Sequence, residues 1–216
     1  MIKRLIFDVD GTLIAVAKFF SSIDGTVITG NAIRIAIKRA LEKLNLYSEE
    51  NMDKFLKAID EYEEQFDNYN KKDYIHFFEA VLNAKLDETF IDILFEAISH
   101  CIPEENEKLT NTLTELSKRY ELVILTNYFS KSQITRLNNM GIGHFFTECH
   151  GEKLIKPHLN SYINACGKNK PEECVMIGDD FKLDVENAKK AGLNAIWVNS
   201  KHLKLHDENT VMVHKV

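Results

Sequence analysis

The chain has 216 residues, 44% hydrophobic and 28% charged, which suits one large domain or a core domain carrying a smaller insertion. A formal net charge of -6, with no Lys/Arg run or basic helix face, argues against nucleic acid as a partner, and no stretch approaches the roughly 20 apolar residues of a membrane span. Cys101, Cys149, Cys166 and Cys174 lie in or beside apolar runs with no C-x-x-C pair and read as small core residues. The N-terminal apolar run is too short and too acidic for a signal peptide, so the expected location is the cytoplasm.

Residues 2 to 5 are read as the initial strand, which runs into LIFDVDGTLI (5–14). There Asp8 and Asp10 alternate with apolar residues just before Gly11. Two like charges cannot be buried cheaply, so something positive is expected nearby. VDGTLI (9–14) is nearly repeated as IDGTVI (23–28), and deleting residues 15–28 would leave a seamless sequence. The run FFSSI-DG-TVITG is read as a flap hairpin over residues 16–30, turning at Asp24-Gly25, with a duplication or an engineered insertion as alternatives.

Between residues 31 and 100 helical periodicity runs on without a convincing strand. Ile33, Ile37, Leu41 and Leu44 form one apolar stripe and Met52, Phe55, Leu56, Ile59 and Phe66 another, which predicts a domain of about four helices, placed to act as a lid. Its aromatics, including Tyr62, Phe66, Tyr69, Tyr74, Phe77 and Phe78, are expected to pack in its core.

Residues 1–15 and 101–216 are expected to form an α/β core. Strands are read at 121–127, 144–150, 174–180 and 194–199, with a short edge strand at 210–213, and helices at 130–141, 158–167 and 182–192. That alternation predicts a doubly wound parallel sheet. In such sheets the carboxyl ends of the strands converge on the ligand crevice. Asp8-Val9-Asp10-Gly11-Thr12, Thr126-Asn127, Lys153 to Pro157 and Gly178-Asp179-Asp180 with Asp184 all fall at those ends or in the loops beyond. Asp8 and Asp179 can then share a hard cation, for which Mg²⁺ is the natural candidate, while a lysine neutralises the remaining charge. EF-hand, P-loop, zinc and dinucleotide signatures are missing; position 6 counted from Asp8 is Leu13, where a calcium loop needs glycine.

FDVDGTL, ILTN, IKP and IGDDFKLD, in that order, resemble the four motifs of the haloacid dehalogenase (HAD) superfamily, and the helical insertion sits where its helical type of cap sits. The resemblance implies a Rossmann-like HAD core with a mobile helical cap and a phosphatase acting on a small phosphorylated metabolite, such as a sugar phosphate or nucleotide, through an aspartyl phosphate. Carried over, Asp8 is the nucleophile and Asp10 the acid and base. Thr126 and Lys156 contact the phosphate, supported by Asn127 and by amides near Gly11. Mg²⁺ is bound by Asp8, Asp179 and the Asp10 carbonyl, and Asp184 orients metal waters or the lysine. Asp180 stands where relatives often carry serine. The family's true dehalogenases lack an acid at the position of Asp10, which disfavours dehalogenation. Phosphotransfer or mutase chemistry, a phospho-accepting signalling module and a silent interaction module are the alternatives; nothing in the sequence assigns an oligomeric state.

Overall fold

A computed structural model describes residues 1–14, 18–21, 27–29, 32–103, 106–199 and 211–213. The chain opens with β1 (Arg4–Phe7), fully buried, followed by a hairpin pair, β2 (Lys18–Ser21) and β3 (Val27–Thr29), in antiparallel register. The turn expected at Asp24-Gly25 lies outside the described residues. Four helices come next: α1 (Ala32–Lys43), α2 (Glu49–Gln65), α3 (Lys71–Leu82) and α4 (Glu88–Ser99). Side-chain caps fix three of their starts, since Ser48 accepts from the Asn51 amide, Asn70 from those of Lys72 and Asp73, and Asp87 from that of Thr89. Their apolar faces meet in an aromatic cluster: Phe55 stacks on Phe78 with centroids 4.2 Å apart, and Tyr62 lies 5.0 Å from Tyr74.

The chain then forms β4 (Cys101–Pro103), which pairs with β2, so the stretches entering and leaving the helices run side by side. The sequence reading assigned no strand here, because a three-residue run carries no measurable periodicity. Next come α5 (Glu107–Ser117), β5 (Glu121–Leu125), α6 (Ser130–Asn139), β6 (Glu148–His150), α7 (Leu159–Cys166), β7 (Cys174–Gly178), α8 (Asn187–Lys190), β8 (Asn194–Val198) and β9 (Val211–Val213). The strand expected over 144–150 is shorter, because Gly143–Phe145 closes a 3-10 turn, and the helix expected over 182–192 opens with a π-helical stretch, Phe181–Glu186. The first strand starts at Arg4, two residues later than expected.

The main sheet is parallel and doubly wound, in the order β6-β5-β1-β7-β8-β9. Alternate residues of β1 feed two cores: Leu5 and Phe7 pack with Leu113 of α5 and Leu137 of α6, whereas Ile6 packs with Tyr162 of α7 and Ala188 of α8. Cys149 is only half-buried, unlike Cys166 and Cys174. Among the described residues no helix is long and apolar enough to cross a membrane. For the site, the decisive feature is register: Phe7 is level with Ile124 of β5 and Ile177 of β7, so all three strands end together around Asp8.

Candidate active site

Asp8 continues the ladder beyond β1, its amide donating to the Ile177 carbonyl at 2.9 Å. The chain then turns tightly, with Gly11 and Ile14 amides donating to the Ile14 and Val9 carbonyls, both at 2.9 Å. Gly11 adopts φ +88°, and a Cβ there would lie 2.2 Å from Asp179 Oδ2. Only glycine satisfies both conditions. Gly11→Ala is therefore expected to lower unfolding stability by about 1–2 kcal/mol, from the left-handed backbone and the displaced Asp179, measured by urea denaturation.

The expected positive group is Lys156. Its Nζ donates to Asp8 Oδ1 at 2.9 Å and to Asp184 Oδ1 at 2.6 Å, and the ammonium is 3% exposed. Burial works against that charge, but Asp184 and Asp8 reverse the effect and hold Lys156 above its ordinary pKa. Burial also pushes the Asp8 carboxyl up to about 7, with Lys156 pulling it back and Asp184 adding to the rise. Asp179 is pushed up to about 6, first by burial and then by Asp184. Oxygens of Asp8, Asp179 and Asp184 lie within 4.8 Å of one another. One ammonium leaves that much carboxylate under-compensated, and an all-oxygen donor set suits a hard divalent cation.

Asp180 accepts from the Leu183 amide and so caps the π-helical stretch that carries Asp184; Asp184 in turn accepts from the Asp180 amide at 3.1 Å. Trp197 of β8, buried, donates its indole N–H to the Asp179 carbonyl at 3.0 Å. On the other flank the Thr126 amide donates to the His150 carbonyl. Asn127 grips the main chain of Lys156 from both sides, accepting from its amide and donating to its carbonyl, each at 2.8 Å.

The sequence reading did not find the partners of Asp10. Arg136 Nη1 donates to Asp10 Oδ1 at 2.6 Å, and Gln133 Nε2 donates to Asp10 Oδ2 at 3.0 Å and to Thr126 Oγ1 at 3.2 Å. The side chain of Asp10 therefore points to α6, and the third carboxylate beside Asp8 and Asp179 is that of Asp184. A signal for Gln133 was available: it stands four residues before buried Leu137, on the stripe an apolar residue would occupy. Thr12, named at the strand end but given no role, donates its hydroxyl to Asp8 Oδ2 at 3.3 Å. Glu63 of α2 was passed over; it accepts from Asn127 Nδ2 at 2.8 Å and from the Tyr69 hydroxyl at 2.6 Å. Burial raises the Glu63 carboxyl, while Tyr69 and Asn127 restrain the rise.

These groups line a cavity of about 330 Å³, with the strand ends at its floor and residues of the four-helix segment at its walls. Its size sits at the small end of ligand pockets. A sheet of this order with these acids and this lysine at its switch point marks a hydrolase family, and a family profile agrees: the profile of the haloacid dehalogenase-like hydrolases matches residues 2–192, and the chain belongs to that family. Among particular proteins, it is similar to glyceraldehyde 3-phosphate phosphatase of Methanothermobacter thermautotrophicus, 37% identical over 98 residues, 43% of either chain. N-acylneuraminate-9-phosphatase of Rattus norvegicus is 32% identical over 108 residues, 47% of this chain and 43% of that one. The chain is thus matched to less than half the length of these relatives. Among solved structures, YfnB from Bacillus subtilis bound to magnesium superposes with a TM-score of 0.70 at 18% identity, covering 100% of this chain and 95% of the other, a likeness of fold.

Proposed function

We propose that the protein is a Mg²⁺-dependent phosphomonoester hydrolase of small phosphorylated metabolites, working through an aspartyl phosphate on Asp8. Residues 31–100 serve as a helical cap over a core of residues 1–15 and 101–216, with 16–30 as a flap. The observation that carries this reading is the Lys156 ammonium held between Asp8 and Asp184, with Asp179 alongside, at the level ends of β1 and β7. The two relatives named above are both phosphatases of small phosphorylated compounds, and the YfnB structure, described as revealing interdomain movement, supports a mobile cap.

In the first half-reaction a carboxylate oxygen of Asp8 bonds to phosphorus as the bond to the ester oxygen breaks, and Asp10 gives that oxygen a proton. In the second, water attacks the aspartyl phosphate, its proton passes to Asp10, and the bond between Asp8 and phosphorus breaks to release phosphate. Because both Asp10 oxygens are engaged by Arg136 and Gln133, its turn toward the leaving oxygen requires those hydrogen bonds to be exchanged or shared. Asp8, Asp179 and the Asp10 carbonyl would hold Mg²⁺, which when bound would supply positive charge to the phosphoryl group. Lys156 reduces the repulsion between nucleophile and substrate, and Asp184 keeps it in place. The Thr126 hydroxyl accepts from Gln133 and so keeps its own proton for a phosphoryl oxygen. Amides of the tight turn at Gly11 donate to the phosphate.

Steady turnover of p-nitrophenyl phosphate with Mg²⁺, abolished by EDTA, is the expected result; a single phosphorylation without turnover, or activity indifferent to chelation, overturns the reading. Metal binding has an independent reporter, because Trp197 is the sole tryptophan and touches the Asp179 carbonyl. Titration with Mg²⁺ is expected to change its fluorescence in the natural protein and not in Asp179→Asn. At 100 times its Kd, Mg²⁺ should also raise unfolding stability by about 2.7 kcal/mol.

A further inference from the structure

The cap contributes an apolar wall to the cavity, including Ile37, Phe55, Ile59, Tyr74, Leu94 and Ile98, and a single charged group among the described residues, Glu63. Glu63 is fixed relative to the phosphate site, because Asn127 holds its carboxylate at 2.8 Å and grips the main chain of Lys156 with the same amide. The Tyr69 hydroxyl holds the other carboxylate oxygen at 2.6 Å. A carboxylate offers about four acceptor sites, so Glu63 keeps capacity for a donor on the substrate. The cations lining the cavity are engaged: Lys156 with Asp8 and Asp184, and Arg136 with Asp10.

We infer that this chamber selects phosphomonoesters whose alcohol part is small and uncharged or cationic, offering Glu63 a hydroxyl or amine, and turns away those whose alcohol part carries a carboxylate. This rests on the phosphatase reading and deepens it. A second carboxylate in this space would face Glu63 without a cation of its own, and like charges brought together at a binding surface are the repulsive element from which specificity is built. A hydroxyl or ammonium meets an acceptor already in position.

The test compares probes of equal carbon number with Mg²⁺ present: glycerol 1-phosphate against 3-phosphoglycerate, and O-phosphoethanolamine against 2-phosphoglycolate. In the natural protein kcat/KM is expected to favour the first of each pair by about 100-fold. Glu63→Gln is expected to shrink that ratio at least tenfold, mainly through a lower KM for the carboxylate esters. Equal turnover of the paired esters, a preference for the carboxylates (which would make Arg136 their partner), or a ratio untouched by Glu63→Gln overturns the inference while leaving the phosphatase reading standing. If no ester is hydrolysed, p-nitrophenyl phosphate included, it is the phosphatase reading that fails. Selectivity is then read by calorimetric binding of the same esters to Asp8→Asn protein with Mg²⁺, where equal affinities within a pair overturn it.

Discussion

Asp8→Asn is expected to lower kcat for p-nitrophenyl phosphate by at least about 10⁴-fold while leaving the protein folded. The amide is nearly isosteric and cannot form the covalent intermediate, so the loss falls on kcat rather than on substrate binding. The fold should survive, because Lys156 retains Asp184 at 2.6 Å when the charge of Asp8 is removed, and the Asn oxygen still accepts from the ammonium. Burial already holds the Asp8 carboxyl at about 7, so exchanging it for a neutral group relieves a desolvation penalty. Stopped-flow release of p-nitrophenol, with circular dichroism as the check on folding, decides the matter; more than about a tenth of natural activity in Asp8→Asn would remove Asp8 from the nucleophile's role.

Lys156→Met is expected to cause the largest combined loss, in stability as well as rate. It leaves Asp8, 8% exposed, beside Asp184, 0% exposed, with their common cation gone. Breaking a buried ion pair from one side costs about 3–5 kcal/mol, which in a protein of this size lowers Tm by roughly 10 °C. The deficit depends on pH in a definite sense. Burial raises the folded-state pKa of Asp8 above its ordinary 3.8, and removing the lysine takes away the group that was pulling it down. The folded variant therefore holds its proton more tightly than the unfolded chain does, so stability falls as pH rises from about 4 through the folded value and recovers on acidification. Thermal melts in EDTA at pH 5 and pH 8 measure this, with the larger deficit expected at pH 8. Phosphatase activity should fall at least about 100-fold. Lys156→Arg, which restores charge with a bulkier fork, should recover more stability than activity.

The central strands were legible because Leu122–Leu125 and Cys174–Ile177 are buried apolar runs closed by polar residues, and those polar residues are the strand-end groups that mark the site. Asp8, Thr126 and Asp179 could be placed from local pattern, since a parallel sheet brings strand ends together whatever the sequence distance, whereas Lys156 was singled out from the stretch Lys153 to Pro157 only by the family resemblance. What local pattern could not supply was the identity of long-range partners. Arg136 lies 126 positions from Asp10, and Glu63 lies 64 from Asn127. On helices otherwise rich in polar residues, a buried arginine or a half-buried glutamate looks like a solvated one until the opposing carboxylate or amide is in view. The π-helical opening at Phe181–Glu186 escaped for a related reason. It carries Asp184 against Gly178, where a Cβ would lie 2.1 Å from Asp184 Oδ2, and helix periodicity says nothing about such a fit.

The pairing of Ser21 with Cys101 has a consequence for how such a molecule can change over evolutionary time. Where the outgoing and returning chain lie one strand spacing apart, nearly 80 intervening residues can be exchanged for another module, or trimmed to a short turn, with little penalty for rejoining the ends. The chemistry at the strand tips and the choice of what reaches it can thus diverge on separate schedules.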